Sequence, residues 1–196
     1  LVAQGPDDSV YMVGKIAVSS IQNLIVAYKE RFDRNNFFQN LILDNLLLVD
    51  IYNRAQKLHI EVEQRRVAFL IQAEYEKDQN LLEATKEVES GADSDFITAV
   101  DEKSIVYVTP VNGNEGQAQF IQHAKEIKEG LNEYGIKDAK IAIGNVAETI
   151  KDVSRSYKEA QIALEVSKIF YEDASVIAYN QLGIGRLIYQ LPLPLC

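Results

Sequence analysis

The chain has 196 residues, 47% hydrophobic and 25% charged, with a formal net charge of −9. That is enough chain for one globular domain with a real core plus an appendage. The acidic balance repels a phosphate backbone and makes this piece a poor direct binder of nucleic acid. A single cysteine, Cys196 at the last position, supports neither a disulfide framework nor a zinc site. It fits a reducing, cytoplasmic compartment. No apolar run reaches the ~18 residues of a membrane span, and no basic start followed by an apolar core marks a signal peptide. The opening at Leu1 and the ending Leu191-Pro192-Leu193-Pro194-Leu195-Cys196 read as a piece cut from a longer protein.

Residues 1–14, with Gly5-Pro6-Asp7-Asp8, read as a loop, linker or tail of a preceding sensor domain. Over 15–34, Ile21, Leu24, Ile25, Tyr28 and Phe32 recur at helical spacing, opposite Gln22, Asn23, Lys29, Glu30 and Asp33. This predicts an amphipathic connecting helix whose stripe must be buried, by its own domain or by a second copy. Asp33-Arg34-Asn35-Asn36 reads as a polar break. A short helix with Phe37, Phe38, Leu41 and Ile42 follows, then a helical stripe of Leu48, Ile51, Tyr52, Ala55 and Leu58.

At Arg66–Ile71 the pattern changes to an unbroken apolar run, the mark of a central buried strand. A helix over Lys77–Glu89 turns Leu81, Thr85 and Val88 inward and stops at Gly91. Phe96–Val100 and Ile105–Val108 are two strands joined by a tight turn at Asp101-Glu102-Lys103-Ser104. A helix from Gln117 to Tyr134 buries Ile121, Ala124, Ile127 and Leu131, and Gly135 stops it. Lys140–Ile143 is a fourth strand. A long helix over Thr149–Phe170 buries Ile150, Val153, Tyr157, Ala160 and Leu164, and Thr149 with Asp152 resembles a capping box. Val176–Tyr179 reads as a short edge strand and Ile184–Gln190 as a last helix. The first six elements from residue 66 make the ferredoxin-like βαββαβ order, an α+β fold with an antiparallel sheet backed by helices.

That order, with its central hairpin, is also the order of GGDEF and class III nucleotide cyclase domains. Several segments narrow the resemblance. They are Phe37–Leu43, Asp50–Leu58, the strand at Val67–Ile71, Ile143-Gly144, Ser156–Leu164, and Tyr179–Gly183 leading into Arg186-Leu187-Ile188. As an ordered set they resemble the degenerate, GGDEF-like middle domain of the CdaR/PucR family of bacterial transcription regulators, which includes sugar-diacid utilisation regulators. The resemblance covers about residues 35–190, with a helical lead-in over 35–60 and the α+β core over 66–180. It implies a sensor domain before this region and a DNA-binding helix-turn-helix domain after it. Residues 191–196 would then begin the linker, and DNA would be bound only through a domain outside this chain.

The cyclase-like site is the sharpest test of chemistry. A working GGDEF hairpin needs glycines that admit a nucleotide and carboxylates that hold Mg²⁺. Here the hairpin reads Val100-Asp101-Glu102-Lys103-Ser104, and neutral Gln72 stands where a second carboxylate is expected after the first strand. Glu74, Asp101 and Glu102 are weak candidates for an acidic cluster, and a solvated turn explains them more simply. His59 and His123 lack cysteine companions and are far apart in sequence. Asn112-Gly113-Asn114-Glu115-Gly116 reads as a connector before a helix. These residues predict no catalysis and no cofactor. The leading expectation is a regulatory module that forms a homodimer through Ile21, Leu24, Ile25, Tyr28 and Phe32 and relays a sensor's state. The alternatives are a module binding a small-molecule or nucleotide effector and, third, an active cyclase.

Overall fold

The computed structural model describes residues 8–74, 80–90, 96–171 and 173–185. Its helices are α1 (Asp8–Ile42), α2 (Leu48–Lys57), α3 (Leu81–Val88), α4 (Gln117–Glu133) and α5 (Val153–Phe170). Its strands are β1 (Arg66–Gln72), β2 (Phe96–Ala99), β3 (Ser104–Pro110), β4 (Lys140–Ile143) and β5 (Val176–Ala178). The strands form one sheet in the order β2-β3-β1-β4-β5. The first four are antiparallel, in the expected ferredoxin-like arrangement. The edge strand β5 joins β4 in parallel, which α5 makes possible as the crossover between them.

Two hydrophobic layers flank the sheet. Val67, Phe69 and Ile71 of β1 face α3 and α4, where Leu81, Ala124, Ile127 and Leu131 meet them. Ala68 and Leu70 face the other way, toward the end of α1, α2 and α5. Burial on both faces is why β1 reads as an unbroken apolar run rather than an alternating one. Ile150, Val153, Tyr157, Ala160 and Leu164 are all buried, as expected. In α4, Phe120 replaces Ile121 on the buried face, and in α2 only Ile51 and Ala55 are buried while Leu48 and Tyr52 stay exposed.

The largest departure from the sequence reading is α1. The expected loop over 8–14, helix over 15–34, break over 33–36 and short second helix are one uninterrupted helix of 35 residues. Polar residues at 33–36 cost helix propensity only a few tenths of a kcal/mol each. Tertiary packing outweighs that: Phe37, Phe38, Leu41 and Ile42 are each 1% exposed. Phe38 stacks on Phe96 of β2 at 4.7 Å and meets Phe37 edge-on at 5.4 Å. The Asn40 side chain also donates back to the Asn36 carbonyl at 2.8 Å, inside the supposed break.

Three helices end in the same way. Asp44, His59 and Gly135 take the left-handed conformation, and the next amide bonds back five residues, Asn45 to Asn40, Ile60 to Ala55 and Ile136 to Leu131. Buried Ile60 and Ile136 seal two of these closures. The expected capping box at α5 is a different contact. The Thr149 hydroxyl donates to the Asp152 carboxylate at 2.9 Å, and the helix opens through a 3₁₀ turn at Ile150–Asp152. The start of the Lys77–Glu89 helix, its stop at Gly91 and most of the Ile184–Gln190 helix lie outside the described residues.

Gly144 and Ser156 set how closely α5 approaches the sheet. A Cβ on Gly144 would overlap the Ser156 carbonyl oxygen. The Ser156 hydroxyl accepts from the Ala68 amide at 3.1 Å and donates to the Asn145 carbonyl at 2.6 Å. Gly144→Ala is expected to lower stability by about 3 kcal/mol through overpacking. Ser156→Ala, which strands a buried amide and a carbonyl, should cost about 2 kcal/mol. Thermal melting of both variants checks this, and unchanged melting would show that α5 can shift to accommodate the change.

Candidate functional site

The tip of the β2–β3 hairpin lies beside the end of β1. Register places Gln72 opposite Ser104, and the Ala73 amide continues the ladder to the Lys103 carbonyl at 3.1 Å. Within the turn the Val100 amide donates to the Ser104 carbonyl at 2.9 Å. The Asp101 carboxylate accepts from the Lys103 amide at 2.8 Å, a local turn bond typical of aspartate.

This geometry brings Glu74 and the hairpin together, but through a cation. The Lys103 ammonium bonds the Glu74 carboxylate at 2.6 Å, and both side chains are exposed. The hydrogen bond and charge of Glu74 hold the ammonium pKa above its ordinary value. Gln72 donates its amide to the Ser104 hydroxyl at 3.1 Å. Asp101 and Glu102 are exposed on the turn. Among the described residues no group of three or more histidine, cysteine or acidic side chains could hold a metal ion. The cluster of Glu74, Asp101 and Glu102 considered from sequence is therefore not assembled. A neutral amide and a paired carboxylate do not fit a divalent cation that prefers anionic oxygens.

Between the hairpin and α5 lies a cleft of about 540 Å³. Leu70, Val100 and Ile162 supply apolar lining, and Gln72, Asp101, Tyr157, Lys158 and Gln161 bring polar groups. Burial, then the charge of Asp101, pushes the Tyr157 hydroxyl pKa up. That hydroxyl accepts from the Gln161 amide at 3.0 Å. Lys158 reaches from this wall to Asp44, just past the end of α1, at 2.7 Å. Its hydrogen bond and charge hold the Asp44 carboxyl low. The cleft and the Lys158–Asp44 link were not visible in the sequence, because they join residues 114 positions apart.

The stripe on α1 is the other candidate. Ile21 is 38% exposed and Tyr28 76%, and Leu24, Ile25 and Phe32 are each above 60%. Tyr11, Met12, Val13, Ile16, Val18 and Val26 of the same helix are also exposed. Packing against its own domain, one of the two expectations, is thus not what this stripe does. The buried residues of α1, Phe37, Phe38, Leu41 and Ile42, lie in its last two turns, and the helix packs against α5, β2 and α2.

The histidines separate. His59 is exposed at the left-handed position closing α2. His123 on α4 is half-buried and contacts both Glu89 carboxylate oxygens, at 3.0 and 3.1 Å, from beyond the end of α3. Its ring also stands edge-on to Phe69 and Tyr107. In the loop before α4, Gln119 accepts from the Gly116 amide and Glu115 from the Asn112 amide. Those amides are satisfied locally, as a connector requires.

Burial acts to raise the Glu89 pKa, but hydrogen bonds from His123 and Tyr107, with the His123 charge, outweigh it and leave the carboxyl low. A lowered folded pKa gives stability that is complete above the ordinary value of 4.5. It is lost as pH falls through the lower folded value. Glu89→Gln should therefore melt below the parent at about pH 7, with the gap closing toward about pH 3. A gap independent of pH would show that Glu89 acts through packing alone.

The family model of the GGDEF-like domain matches residues 45–166. Over 95 residues the chain is 30% identical to the DNA-binding transcriptional activator AdeR of Bacillus subtilis (strain 168), a match covering 47% of this chain and 22% of that relative. The matched part thus spans about a fifth of the relative's length. No helix among the described residues is long and apolar enough to cross a membrane. The matched residues run from the turn before α2 through most of α5 and take in the sheet up to β4, the hairpin and both helical layers, so the chain belongs to the GGDEF-like domain family.

Proposed function

We propose that this chain is the non-catalytic regulatory domain of a cytoplasmic bacterial transcription regulator of the CdaR/PucR, sugar-diacid utilisation type. In this reading it self-associates through α1 and relays a sensor's state to a DNA-binding domain carried elsewhere in the protein. The observation that carries it is the division of α1. One helix has its end locked in the core by Phe37 and Phe38, and its preceding five turns carry an uncovered apolar stripe. A rigid rod of this kind passes a change at its exposed part to the domain that grips its end. The likeness to a transcriptional activator supports the regulatory setting, and the net charge of −9 supports leaving DNA to another domain.

Charged substitutions test the interface. Ile21→Glu with Tyr28→Glu should convert a dimer to a monomer in light scattering while leaving thermal melting of the globular part unchanged. Both side chains are exposed in the single chain, so the substitutions break nothing within it. A dimer that persists would place the interface elsewhere and remove α1 as the relay.

The cleft favours a second reading, an effector-binding module. Its volume lies within the range of about 300–1,000 Å³ usual for small-molecule sites, and its lining mixes apolar side chains with polar and charged ones. Incubation with GTP or ATP and Mg²⁺ or Mn²⁺ separates the readings in one experiment. The regulatory reading expects neither cyclised product nor a rise in melting temperature. A rise without product would favour effector binding, and product would establish a cyclase.

A further inference from the structure

The exposed apolar residues of α1 are arranged more narrowly than a generic amphipathic face. Val18, Ile21, Ile25, Tyr28 and Phe32 follow one another at intervals of three, four, three and four. That is a spacing of 3.5 residues, the repeat of a left-handed coiled-coil seam. All five are exposed in the single chain. Leu24 flanks the seam. The seam begins after Gly14, which offers no side chain at the next position up, and ends at Asn35, just before the helix enters the core. Its length is therefore bounded at both ends by the sequence and the fold.

We infer that the occupant of this seam is a second copy of the chain, laid parallel and in register as a two-stranded coiled coil over residues 18–32. The inference rests on the self-association reading above and adds its orientation and register. The flanking charges favour a parallel pair. In heptad register Val18, Ile25 and Phe32 occupy the a positions and Ile21 and Tyr28 the d positions. The flanking pairs of a parallel pair are Ala17 with Gln22, Leu24 with Lys29 and Arg31 with Asn36. None of these sets like charges together. An antiparallel overlay with Ile21 against Ile25 leaves Phe32 facing Gly14 and sets Lys15 against Lys29 twice along one edge. Sliding the antiparallel pair by a heptad removes that repulsion but leaves Val18 without a partner. The parallel arrangement alone covers all five apolar layers without a like-charge pair.

Cysteine pairing in the full chain tests this. Cys196 is the chain's one cysteine, so a Cys196→Ser background makes each introduced thiol unique. In that background Ile21→Cys and Ile25→Cys are made separately, the mass of each is measured by light scattering, and each is oxidised mildly. A parallel in-register pair should give a dimer mass and a same-position disulfide for both variants. An equal mixture of the two variants, differently tagged, should give mostly same-position links. A dimer mass with links mainly between positions 21 and 25, or with no same-position link in either variant, would overturn the parallel register while leaving self-association standing. A monomer mass for the parent chain would remove the self-association reading, and this inference with it.

Discussion

At Gly144 the end of β4 carries a hydrogen where any other residue would carry a carbon, and the Ser156 carbonyl of α5 stands in that space. The Ser156 hydroxyl then reaches past the glycine to the Ala68 amide of β1 and the Asn145 carbonyl. One small residue and one hydroxyl thereby fix the distance between the long helix and the middle of the sheet. The position of α5 governs much else. It covers β1 and β4, it is the crossover to β5, it packs against the end of α1, and it carries Lys158 to Asp44. An interior packed to crystal-like density does not absorb a displaced helix cheaply, so these contacts depend on α5 sitting where Gly144 lets it.

Much of this was legible in the chain itself. The β1 run, the hairpin, α4 with its glycine stop and the α5 stripe are local patterns, and they appear where the spacing places them. The resemblance segments Ile143-Gly144 and Ser156–Leu164 are the two sides of the close contact, although nothing local says that they touch. What sequence could not show was non-local. The continuity of α1 through Asp33–Asn36 depends on Phe38, with Phe37 against it, finding Phe96, some sixty residues away. The meeting of Lys103 with Glu74, and of His123 with Glu89, depends on strand register and helix packing. In the hairpin the acidic residues were visible, but a lysine beside them changes the electrostatics only once the β1 end is brought against the turn.

Residues at the hairpin tip can vary at little structural cost. Glu74, Asp101, Glu102 and Lys103 are all exposed, and solvent screens an exposed ion pair such as Lys103–Glu74 so that it adds little to stability. The side chains that hold the sheet, Phe69, Ile71, Ile105 and Tyr107 among them, lie inward of the tip. Substitution at the tip therefore leaves the core intact. Fold and chemistry are separable here for a physical reason, so membership in the family carries the fold and not an activity.

The exposed part of α1 poses the opposite problem. An isolated helix of fewer than about 15 residues is marginal in water, and the buried residues of this one lie in its last two turns. Its uncovered apolar side chains keep contact with water that a partner would remove, at roughly 25 cal/mol for each Å² buried. A helix that runs unbroken through its polar stretch and continues into a locked core is already aligned before it meets a partner. Less ordering entropy then opposes association than for a flexible segment. The same rigidity ties the seam to Asp44 and through Lys158 to the cleft wall. In the proposed relay, a change in how two such helices pair would enter the domain at the buried end of α1, where Phe37 and Phe38 are locked in the core.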